Sequence, residues 1–202
     1  QHRIVRTREA HIDDAGTALD GVFEPGQDVL GGRLRRIVGV GAEGVNRQNL
    51  GARRDAEQTL RILAVQYHNE WKKTRDEPVA GYAAAVYRDY LDLFPNETTA
   101  YEMRFFHAEL RYALADFEGA GEEYERVVQA DVGALRAKPP RKAGKFFKDA
   151  LENAVFAWDL VAKKLDEQDK QRQPSDPKKR VPLAPLRKRL VDACDRYLEW
   201  QP

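Results

Sequence analysis

The stretch YEMRFFHAELRYALADFEGAGEEYERVVQAD, residues 101–131, carries the clearest fold signal in the chain. Its apolar residues recur at three- and four-residue intervals, which predicts a helix over about 100–114 and another over about 118–129. The second turns Ala120, Tyr124, Val127 and Val128 inward. Ala115 and Asp116 leave room only for a tight connection, so the two helices should pair antiparallel. On the N-terminal side, Leu60, Leu63, Ala64, Tyr67 and Trp71 form a core-facing stripe that stops before Asp76-Glu77-Pro78. Pro78 opens a helix over about 79–94 with Ala83, Val86, Tyr87, Tyr90 and Leu91 on one face, closed by Pro95-Asn96. Thr98 or Thr99 is placed to cap the next helix. No strand-like alternation occurs after Arg53, and the expected class is all-α.

The two pairs repeat one another. Ala83, Tyr87 and Tyr90 stand 37 residues before Ala120, Tyr124 and Val127, each triplet on the second helix of its pair. A period of about 34 to 40 residues marks a helical solenoid. With Ala108 inside the first helix, Phe117 at the turn, and Ala120 and Tyr124 on the second, residues 101–131 resemble a tetratricopeptide repeat (TPR). VAGYAAAVYRDYLDLFPN, residues 79–96, resembles the same second helix, although Trp71 stands where the first helix of a repeat usually has a small residue. KAGKFFKDALENAVFAWDLVAKKL, residues 142–165, and LRKRLVDACDRYLEWQP, residues 186–202, resemble a third repeat split by an insertion. The phrase YRDYLDLFP followed by an AEL-containing helix is similar to bacterial cell-envelope TPR proteins of the outer-membrane assembly, Tol-Pal and myxobacterial gliding types.

The resemblance implies a TPR-like helical-hairpin solenoid over residues 55–202, preceded by a Gly-rich arm or cap over 1–54. It implies a non-catalytic scaffold that binds a peptide or partner helix, in the bacterial periplasm or envelope, with a cytoplasmic site left open. The concave wall of such a solenoid is lined by first helices. Its residues here would be His68, Asn69, Lys72 and Arg75, then Glu102, Phe105, Phe106 and Glu109, then Lys148 and Glu152. At least one of Phe105 and Phe106 is expected in the core. Asn69 and Lys72 suit a clamp on a C-terminal carboxylate, but the second repeat offers glutamate where a base is wanted.

Composition agrees with a scaffold. Of 202 residues, 34 are Lys or Arg and 33 Asp or Glu, which excludes a uniformly basic nucleic-acid binder. The balance hides a dipole: 16 acidic against 8 basic residues over 55–131, then 16 basic against 7 acidic over 132–189. Residues 1–50 hold 8 of the 14 glycines and a single Phe, Tyr or Trp, Phe23, too little for a core of their own. DEQDKQRQPSDPKKRVPLAP, residues 166–185, carries four prolines in a charged run and reads as a mobile loop. No apolar run spans a membrane, and a chain opening on Gln1 reads as a processed or excised piece. Cys194, the single cysteine, excludes an intrachain disulfide and is expected half-buried in a helix.

The chemical motifs are isolated. Gly39-Val40-Gly41-Ala42-Glu43-Gly44 has the spacing of a dinucleotide loop, but the residues after it read as helix, without the βαβ context that chemistry needs. His107-Ala108-Glu109 has the spacing of a zinc deaminase, which also requires a cysteine pair. His2, His11 and His68 have no partner at ligand spacing. Asp116, Glu118, Glu122, Glu123 and Glu125 read as a solvated helix start. No catalytic residue, metal ligand or cofactor is assigned. Two basic stretches, Arg136, Lys138, Arg141, Lys142, Lys145 and Lys148, and then Lys178, Lys179, Arg180, Arg187, Lys188 and Arg189, make binding of an anionic polymer or nucleic acid through 136–189 the alternative function. Intramolecular pairing or an acidic partner is the preferred account of them, and a nucleotide-dependent enzyme ranks last. Leu190, Tyr197 and Trp200 on the last helix need cover, which favours self-association there.

Overall fold

Helices begin where the sequence supplies Asp76, Thr99 and Asp116. The computed structural model describes residues 47–170 and 184–200, and every regular element in them is helical. They are α1 (Arg47–Thr74), α2 (Glu77–Leu93), α3 (Ala100–Ala113), α4 (Phe117–Arg136), α5 (Phe147–Lys170) and α6 (Pro185–Trp200). Pro78 lies in the first turn of α2, where its missing N–H costs no helical bond. Asp116 caps α4, its carboxylate accepting from the Gly119 amide at 3.2 Å. Thr99 precedes α3 without capping it; its hydroxyl joins Tyr90 at 2.6 Å and Glu57 at 3.0 Å instead. Both tight turns pass through one left-handed residue, Arg75 (φ 58°) between α1 and α2 and Ala115 (φ 61°) between α3 and α4.

Each helix packs on its neighbours in the chain, and helices two apart run in the same direction. Arg53 and Glu57 near the start of α1 meet Glu97 and Thr99 before α3, while Lys72 at its far end lies within electrostatic reach of Glu109. Tyr101 bonds the amide of Phe146 before α5, and Glu109 bonds Asn153 further along. Glu125 meets Arg189, and Arg136 meets Glu199, relating α4 to α6 in the same way. Ala83, Tyr87, Tyr90, Ala120, Tyr124 and Val127, the residues of the 37-residue correspondence, are all buried. A polar contact recurs with them: a tyrosine on the second helix of each pair bonds a side chain of the first. The partners are Tyr87 with His68, Tyr124 with Glu109, and Tyr197 with Glu152.

Several boundaries differ from the sequence reading. α1 starts at Arg47, inside the expected arm, and Gly51 within it is exposed with open space around it. α4 runs to Arg136, past Gln129, because Asp131 is buried and tied to the Tyr101 hydroxyl at 2.7 Å and the Gly144 amide at 2.6 Å. α5 continues to Lys170, so the first five residues of the expected loop are helical. The rest of that loop up to residue 183, the arm over 1–46, the Gly39–Gly44 motif and Lys178, Lys179 and Arg180 lie outside the described residues.

Candidate partner-binding site

Glu109 ties together the helices that line the expected wall. Its carboxylate accepts from the Tyr124 hydroxyl on α4 and from the Asn153 amide on α5 at 2.9 Å. Burial pushes its carboxyl above the ordinary range, while the two hydrogen bonds and Lys72 on α1 pull the other way. Three helices are thus joined through one acid.

The wall residues divide around this knot. His68 is 3% exposed, its Nδ1 3.0 Å from the Tyr87 hydroxyl and its ring edge-on to Tyr87. Burial first, then Lys72 and His107, lower its pKa to about 3, so it is neutral and belongs to the core. Phe105 is also core, buried and stacked on Phe146 at 4.1 Å between ring centroids. Phe106 is half-buried and meets Phe146 edge-on. Lys72 and Lys148 are exposed, and Asn69, Glu102 and Glu152 are half-buried. Glu102 pairs with Lys145 at 2.6 Å, and Glu152 accepts from Tyr197 at 3.4 Å. Arg75 is exposed in the turn after α1, its guanidinium 4.9 Å from the Trp71 ring centre.

Phe156 completes this strip, and the sequence reading missed it. It is 47% exposed and follows Glu152 by four residues and Lys148 by eight, which puts all three on one face of α5. Its apolar ring projects beside the charged Lys148 and Glu152. The available signal was its position outside the buried Ala150, Ala154, Ala157 and Trp158.

The charged regions are largely knitted together. Glu123 and Glu125, expected on a solvated face, are 4% and 2% exposed. Arg104 and Arg126 bind Glu123 at 2.8 Å and 2.6 Å, while Glu125 takes Arg189 at 2.9 Å and the Trp158 indole at 3.1 Å. Arg136, Lys145 and Arg187 likewise meet Glu199, Glu102 and the Asp166–Asp169 pair. Two of these pairs, Lys145–Glu102 and Arg189–Glu125, join the acidic region to the basic one, and the others close within a region or reach Glu199. On α6 the expected sticky residues Leu190, Tyr197 and Trp200 are half-buried against the rest of the chain, while Val191 and Leu198 project. Cys194 is half-buried, as its position implied.

On the opposite face of α3 a cavity of about 660 Å³ opens between α2, α3 and α4, lined by Arg104, His107 and Arg111. At 100° per residue these lie roughly half a turn from Glu102, Phe106 and Glu109. The molecule therefore carries two distinct surfaces. Compared with known protein families, curated proteins and solved structures, the chain matches none.

Proposed function

We propose that this chain is a non-catalytic scaffold, a TPR-like stack of helical hairpins that holds a protein partner along its first helices. The partner is an extended peptide or a helix. The observation that carries the reading is the strip from Lys72 through Glu109 and Asn153 to Glu152 and Phe156. Its parts come from α1, α3 and α5, three helices in one direction, as repetition of a hairpin requires. Charged and amide groups suit a partner's backbone, and Phe156 offers an apolar anchor. The recurring tyrosine contacts and the 37-residue correspondence support the repeat reading. A bacterial envelope assembly is the setting suggested by the sequence resemblance.

The test is affinity capture with the native chain beside the triple variant Lys72→Ala, Glu152→Ala, Phe156→Ala. None of the three is buried, so the helical circular dichroism should be unchanged. A polypeptide retained by the native chain and lost by the variant is expected. Equal retention by both would remove the strip from consideration.

A further inference from the structure

The cavity behind α3 is built differently from the strip in front. Its α2 side is made by Gly81, Ala84 and Ala85 on a single helical face, and a Cβ at Gly81 would meet nothing within 4 Å. These small residues create the space. Four arginines, Arg88, Arg104, Arg111 and Arg126, line it with three acids, Asp92, Asp116 and Glu123. Arg104 and Arg126 each give one Nη1 to Glu123, and Arg111 gives its Nε to Asp116 at 2.7 Å. Each guanidinium carries five donors, so these pairs hold the groups in place without exhausting them. Gly119 supports the arrangement, because a Cβ there would overlap the Arg111 guanidinium.

At the base lies His107, 7% exposed and stacked against Tyr87, with no hydrogen-bond partner for its Nδ1. A buried polar nitrogen left unpaired is costly, and native proteins rarely keep one without a use. Burial first, then Arg111, Arg104 and Arg88, lower its pKa to about 4. All three arginines line the same cavity as the ring.

We propose that this cavity receives an Asp or Glu side chain of an acidic peptide segment, its carboxylate held by Arg88, Arg104 and Arg111. Paired guanidinium donors match the two oxygens of a carboxylate. Leu91 and Leu114, which also line the cavity, give the methylenes of such a side chain and its apolar neighbours a surface. A nucleic-acid strand fits poorly, since the three acids interrupt any continuous path for successive phosphates. The proposal is independent of the strip on the other face of α3.

Fluorescence anisotropy on the full chain tests it. The probe is a labelled peptide of alternating leucines and paired glutamates, run beside the same peptide with glutamines and a labelled single-stranded oligonucleotide. The acidic peptide is expected to bind and the other two not. Gly81→Leu fills the cavity without touching a charge, and Arg88→Gln removes an exposed arginine. Each should weaken the acidic probe about ten-fold or more, as loss of a charge-assisted contact does. Circular dichroism should be unchanged for both. Failure of the acidic peptide to bind, full affinity in both folded variants, equal binding of the glutamine peptide, preference for the oligonucleotide, or displacement by inorganic phosphate as potent as by unlabelled peptide overturns the proposal.

Discussion

Two ionisable side chains, His107 buried and Glu109 half-buried, sit two residues apart on α3 in opposite circumstances. Glu109 faces the strip with its hydrogen bonds made, by Tyr124 and Asn153, and is part of what joins α3 to α4 and α5. His107 lines the cavity with its Nδ1 unpartnered, and Arg88, Arg104 and Arg111 line the same cavity. One face is closed and cohesive, and the other is poised for a ligand.

The largest effect on a buried ionisable group is expected in acid, at His68. His68 is held neutral with a folded pKa of about 3 against 6.5 when unfolded, so its contribution is complete above pH 6.5 and lost as pH falls toward 3. Glu109 acts oppositely: its raised carboxyl costs stability as pH rises through the window above 4.5, and that cost is relieved on acidification. His68→Gln keeps a partner for Tyr87 without titrating. It should lower the acid-unfolding midpoint, with a gain on the order of a few kcal/mol near pH 4 relative to the native chain. Circular dichroism against pH reads this directly.

Next in size is the contrast on α3 itself. Glu109→Ala strands the Tyr124 hydroxyl and the Asn153 amide and should cost about 1–3 kcal/mol in urea unfolding. His107→Leu removes a nitrogen that bonds nothing and should stay within about 1 kcal/mol of the native chain. Equal losses would dissolve the distinction between the faces.

Two glycines extend the contrast. At Gly121 a Cβ would come within 2.7 Å of the buried Trp158 ring, so Gly121→Ala should destabilise by about 1–3 kcal/mol. At Gly81 the Cβ enters open space, and Gly81→Ala should stabilise α2 by about 0.5–1 kcal/mol. The smallest change concerns a turn. Ala115→Gly relieves a left-handed residue (φ 61°) and should raise the melting temperature by a few degrees, for about 0.5–1 kcal/mol.

The helices were legible because their stripes are regular and their stops are marked, by Pro78 and Pro95 above all. His68 lies on the stripe of the buried Leu60, Ala64 and Trp71, but the register of the resembled repeat put it on the wall. What local spacing did not carry were long-range pairs. Glu125 reads as a surface acid until Arg189, 64 residues later, and Trp158, 33 residues later, enclose it. Phe146 precedes α5, so no periodicity placed it against Phe105. The cavity was hidden for the same reason: Gly81, His107 and Arg126 share no helix and no motif.

The strip of α1, α3 and α5, as the place where a partner lies, is the point most worth testing. A photo-crosslinking residue at Phe156, with another at Val191 on α6 as control, examines it in one experiment, both sites being 47% exposed. Phe156 is expected to label one distinct polypeptide, Lys72→Ala to diminish that label, and Val191 not to capture the same polypeptide. Equal labelling from both positions, or labelling from Val191 alone, would rule out the strip as the docking surface.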